Sequence, residues 1–174
     1  MKKLLTGIMV CLFSVTAFAQ TGKLATDTAS VSFINNAYIG SKTEIQASKL
    51  ALEKADNPEV KTFASQLIKD HTKAIANLKK IAQSKGYNQF PEAVKKPDET
   101  LTQTDGAEFD SHFVAMMLQD HEQSVALFQD AAKNVQDADV KAFAVRTLPV
   151  LNRHLAVVQK LASGMNIATA ATQR

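Results

Sequence analysis

The chain has 174 residues, with 20 Lys and Arg against 17 Asp and Glu, four His and a single Cys. That length suits one domain with a real core. The near balance of charge gives nucleic acid no electrostatic footprint, and one cysteine gives no disulfide framework.

At the N-terminus, Lys2 and Lys3 precede the apolar run "LLTGIMVCLFSV" and then "TAFAQ". A basic segment, an apolar segment and an Ala-x-Ala site predict a signal peptide over 1–19, cleaved after Ala19. The apolar run is short for a membrane anchor. Cys11 sits inside it after Met9 and Val10, without the small residues of a lipidation site. Cleavage removes Lys2, Lys3 and Cys11, leaving 18 basic against 17 acidic residues, a net charge of +1. The mature chain then has no thiolate ligand, and no later stretch is apolar enough to span a membrane. The expected location is the periplasm or outer envelope.

Residues 20–29 are polar and read as a flexible leader. From Ser30 apolar residues recur at spacings of three and four, the helical pattern. A first helix is predicted over 30–55, stopping at "ADNPEV", where Asn57 can cap the next helix and Pro58 suits its first turn. A second runs over 58–85 and stops at Gly86, a good residue just past a helix end. Residues 86–106 hold Gly86, Pro91, Pro97 and Gly106 and form a long connection, with a short helical turn around "PEAVKK". A third helix covers 107–134, "VQDAD" is a turn, and a fourth covers 138–163, ending at Gly164. Pro149 lies inside it and should kink it. Residues 165–174 read as a disordered tail.

The two halves repeat. Phe33 aligns with Phe109, Glu44 with Asp120 and Ser48 with Ser124 at an offset of 76, and "EVKTFA" meets "DVKAFA" at an offset of 80. Each hairpin helix of about 26 residues is roughly 39 Å long. A connection of about 20 residues reaches roughly 66 Å when extended, enough to run the bundle's length. The fold class is therefore all-α: a four-helix bundle of two repeated hairpins with a long crossover, the ferritin-like arrangement.

The segments "EIQASKLALEKADNPEVKTFASQLIKDHTKAIANLKKIA", "GAEFDSHFVAMMLQDHEQSVALFQDAA" and "DVKAFAVRTLPVLNRHLAVVQKLA" resemble a bacterial family of exported ferritin-like proteins known as domain of unknown function 4142. The resemblance covers about residues 31–162 and rests on two Asp-His pairs, "GAEFD" and "TLPVLNRHL". It implies a ferritin-like bundle in the cell envelope and supplies no activity.

Candidate chemistry sits at mid-bundle. His71 and His154 fall on the apolar seams of the second and fourth helices, and His121 falls on the row Val114, Met117, Val125 and Phe128 of the third. Glu44 faces inward between Gly40 and Ala47, and Asp120 lies on the row neighbouring His121. All five are at similar depth. A bundle-core di-iron site needs a carboxylate three residues before its histidines. Here those positions are Ile68 and Leu151. Glu44, His71, Asp120, His121 and His154 instead suit one transition-metal ion, iron, zinc, manganese or copper. The alternative is a polar network in a structural or protein-interaction bundle, each group satisfying another without metal.

Asp70 lies about 100° around the helix from His71, which predicts an acid at the bundle's edge or in solvent, able to reach an outer partner of the cluster but most simply paired with Lys73. His112 reads as solvated, and Met116 and Met117 as core fillers. There is no HExxH, no Gly-rich phosphate loop and no nucleophile-base-acid arrangement. The expectation is an envelope protein that binds a metal ion or small ligand, in one reading linked to stress response, rather than an enzyme. Its partners are expected to be further copies of itself or an envelope protein.

Overall fold

The computed structural model describes residues 27–92 and 98–167. The expected signal peptide, the leader up to residue 26, most of "PEAVKK" and the tail from 168 lie outside the described residues. Five helices follow: α1 (Thr28–Lys54), α2 (Pro58–Ser84), α3 (Glu99–Gln103), α4 (Gly106–Asn134) and α5 (Ala138–Gly164).

The helix starts are set by side-chain caps. α1 begins two residues ahead of Ser30 because Asp27 caps it, accepting from the Ser30 amide at 3.1 Å and from the Ser30 hydroxyl. Asn57 accepts from the Glu59 amide at 2.8 Å, with Pro58 in the first turn of α2 as expected. Asp137 accepts from Asp139 and Val140 and starts α5. Gly86 ends α2 in the left-handed region at φ 76°, and the Tyr87 amide bonds back to Ala82 O at 2.9 Å. α5 ends at Gly164, as expected, and Asn166 takes the left-handed position at φ 56° while the Ile167 amide closes on Ala162 O. Met165 and Ile167 then pack on the core, so the tail's first residues are ordered onto the bundle. α5 is assigned helical through Pro149 without a break.

The topology is the four-helix bundle with a long crossover. α1 pairs with α2 and α4 with α5; α1 also lies against α4, and α2 against α5. At one end the Asn57 amide, in the α1–α2 turn, donates to Asp110 Oδ2 near the start of α4 at 2.9 Å. At the other end Lys85, just past α2, pairs with Asp137 at 3.1 Å and Asp139 at 2.6 Å at the start of α5. The chain between α2 and α4 therefore travels the full length of the bundle. It is pinned on the way. Phe90 packs on Tyr38 and Tyr87, Leu101 of α3 is fully buried, and Lys54 Nζ donates to the carbonyls of Thr102 and Thr104. Among the described residues of the crossover the helix is α3 at 99–103.

The core is in two parts. One cluster, including Phe63, Leu67, Leu101, Phe109, Phe113 and Met117, fills the end near the α1–α2 turn. The other, including Phe33, Tyr38, Leu78, Phe128 and Phe143, fills the opposite end. Buried polar side chains lie between them.

Candidate metal centre

That middle layer holds Glu44 of α1, His71 of α2, His121 of α4 and His154 of α5, one from each long helix, none more than 5% exposed. Each is on its helix's inward stripe, so the 3.6-residue repeat alone delivers it to the axis. His71, His121 and His154 each present one ring nitrogen such that the three lie within 4.8 Å of one another. Glu44 Oε2 is 2.8 Å from His71 Nε2 and 3.5 Å from His121 Nε2. His121 Nε2 is 3.4 Å from His154 Nδ1. The edges of a tetrahedral nitrogen site with bonds of 2.0–2.1 Å are roughly 3.3 Å long. Two of the three measured separations match that edge, and the third is shorter.

Each imidazole has an outer partner, and for His121 and His154 that partner fixes the tautomer. His121 Nδ1 donates to the Met117 carbonyl at 2.9 Å, because a carbonyl can only accept. His154 Nε2 donates to Asp70 Oδ2 at 3.0 Å. His71 Nδ1 is 3.2 Å from Ser41 Oγ. Outer hydrogen bonds of this type orient histidines around metals and raise their basicity. In the neutral tautomers so selected, His121 and His154 aim lone pairs at each other across 3.4 Å. Two facing lone pairs repel unless a proton or a metal cation sits between them.

The charges are set by burial and by Glu44. Burial pushes the His121 pKa down, and the nearby Glu44 carboxylate only partly offsets it. Burial likewise pushes His154 down to about 4, against the opposing effect of the hydrogen bond it donates to Asp70. Both rings are neutral at pH 7. Burial also works against charge on His71, but the Glu44 carboxylate beside it wins and raises its pKa. Burial pushes Glu44 up, and the approach of His71 outweighs this and holds it lowered. The 2.8 Å Glu44–His71 contact is an ion pair by distance. Neither Glu44 Oε2 nor His71 Nε2 makes a hydrogen bond of good geometry among the described residues. Two buried polar atoms with unmet capacity thus face the centre.

Four of the five predicted site residues are brought together. Asp120 is the exception. It is half-buried on the neighbouring row of α4 and outside the mutually close set. Asp70 lies at the bundle's edge, as expected, and takes the outer-partner role rather than the plainer pairing with Lys73: it holds His154 and accepts from Gln66 Nε2 at 2.6 Å. Burial raises its pKa, but these two hydrogen bonds leave it lowered. Ser41 was not foreseen, although it precedes Glu44 by three residues and so shares its face. His112 is exposed and 3.8 Å from Glu108, and Met117 is core, as expected.

A family described as Domain of unknown function (DUF4142) matches residues 14–161. No curated protein matches the chain. Among solved structures it is similar to CopM in the Cu(I)-bound form (20% identity, TM-score 0.68, covering 78% of this chain and 96% of that one). CopM in the Ag-bound form is comparable at 19% identity and TM-score 0.66, covering 78% and 95%. A DUF305 protein from Streptomyces coelicolor aligns at 11% identity and TM-score 0.70, covering 80% and 94%. At these identities the likeness is one of fold.

Proposed function

The chain belongs to the DUF4142 family, and we propose that it is an exported envelope protein whose bundle holds one transition-metal ion at His71, His121 and His154, with Glu44 as the fourth ligand. The observation that carries this reading is the pair of neutral imidazoles, each fixed by an outer acceptor, with lone pairs facing across 3.4 Å. Imidazole and carboxylate suit copper(II) and zinc(II) among divalent ions. The likeness to CopM, solved with copper and with silver, favours copper. Export is supported by the leader pattern of residues 1–19. No helix among the described residues is long and apolar enough to cross a membrane.

The test is the metal content of protein purified without chelator, followed by titration with copper(II) and zinc(II). One tightly held ion per chain is expected, lost in His121→Ala and His154→Ala. Protein that holds no ion and gains no thermal stability from any transition metal would sink the reading. The 2.8 Å Glu44–His71 and 3.0 Å Asp70–His154 contacts favour a second reading for that outcome. In it the layer is a self-paired polar network that fixes the register of the four helices.

A further inference from the structure

Between α2 and α5 the bundle does not close. A cavity of about 650 Å³ opens there, with α1 and α4 behind it and His71 and His154 at one edge. That volume is in the range of small-molecule sites. Its deep wall is apolar, formed by Leu127, Phe128, Phe143 and Leu151. Its exposed lining is cationic: Lys73 and Lys80 from α2, Arg146 and Arg153 from α5. Among the described residues none of these four makes an ion pair; every ion pair seen uses other groups. The lining carboxylates are Glu44 and Asp70, both already committed to histidines. Four uncompensated cations around an apolar hollow repel a bare metal ion and attract an anion.

Small residues hold the space open. Gly40 lines the cavity, and a Cβ placed there would meet nothing within 4 Å. Glycine in a helix centre lowers stability relative to alanine, and here no close packing requires it. Asn77 and Thr147 add polar groups along the walls.

We propose that this cleft binds a small organic anion with an apolar body, its acid group held by the Lys and Arg side chains and its body against Phe128 and Phe143. A free aromatic acid and a fatty acid share this chemistry. The site is independent of metal, because the cations and the apolar wall lie outside the ligand set.

Metal-free protein titrated with anilinonaphthalenesulfonate, an aromatic anion, should show one saturable fluorescent site. The uncharged N-phenylnaphthylamine, of the same body, should bind about tenfold more weakly, the loss of one charge-assisted contact. The exposed double variant Lys80→Ser, Arg146→Ser should weaken the anion by a similar factor and leave the neutral probe unchanged. Gly40→Leu, which fills the cleft, should abolish both while retaining helical circular dichroism. Octanoate and benzoate as competitors then separate the two sources of ligand. Absence of a saturable site, or equal binding of both probes by wild type and the charge variant, overturns the proposal.

Discussion

Asp70 Oδ2 accepts from His154 Nε2 at 3.0 Å and thereby ties the α2 edge to the inward face of α5. The bond holds the outer nitrogen and so turns Nδ1 toward His121. Asp70→Asn keeps the shape and removes the charge. Losing an outer carboxylate of this kind costs about 10–100-fold in metal affinity. The variant should bind copper(II) weaker by that factor, and metal-free protein should also lose, at neutral pH, the stability that the lowered Asp70 carboxylate contributes. A competition titration against a chelator of known affinity measures it, and an unchanged affinity would remove Asp70 from the site.

The buried histidines make metal-free protein sensitive to acid. His154 titrates at about 4 in the fold against 6.5 in the unfolded chain. Between those values the unfolded chain binds a proton that the folded chain does not, so stability falls as pH falls. The gap corresponds to about 3 kcal/mol for this ring, and His121, also lowered, adds in the same direction. Glu44 and Asp70, both lowered, stabilise above the ordinary carboxylate range and lose that contribution as pH falls through their folded values. His71, raised, works oppositely: its contribution is full below 6.5 and is lost as pH rises through its folded value. Urea midpoints measured from pH 4 to 8 should therefore peak near neutrality. His154→Leu should flatten the slope between 4 and 6.5.

Glu44 and His71 separate network from ligand. Removing one member of a buried pair leaves an uncompensated charge and costs about 3–5 kcal/mol. Glu44→Leu should lose this much at pH 6, where His71 would otherwise be charged. The double variant Glu44→Leu, His71→Leu should recover most of it, because an apolar pair of similar volume can replace a buried ion pair. If the double variant is as stable as wild type yet binds no metal, the pair serves binding rather than folding.

Much of this site was legible because helical periodicity points side chains inward without knowledge of partners. His71, His121, His154 and Glu44 each fall on an apolar stripe, and Asn57-Pro58 and Gly86 punctuate the helices where caps and left-handed backbone are needed. Asp70 was left between two roles for a physical reason. A helical wheel places it off the seam, and only the packing of α5 beside α2 turns that flank into an interface. Asp120 shows the converse. The repeat aligns it with Glu44, yet Glu44 is buried in the middle layer while Asp120 is half-buried outside the mutually close set, so equivalent positions do not share an environment. Leu101 carries no periodic signal, since α3 has five residues, and its burial comes from the crossover's path alone.

The "GAEFD" segment acts at the bundle end rather than at the metal. Gly106 opens α4 at φ 61°, and a Cβ there would lie 2.8 Å from Asp56 Oδ2. Two penalties are possible for Gly106→Ala, and their sizes decide which is seen. Asp56 is exposed, and its carboxylate can swing away at little cost. The left-handed backbone cannot be relieved so easily and costs an L-residue about 1–2 kcal/mol. Gly106→Ala should therefore destabilise by about that amount, and Asp56→Ala in the same chain should not restore it. Asp110, whose Oδ2 holds the Asn57 amide from this same segment, should remain bonded in both. A double-mutant cycle in urea reads the coupling. Full rescue by Asp56→Ala would show that the carboxylate, not the backbone, is what demands glycine at the start of α4.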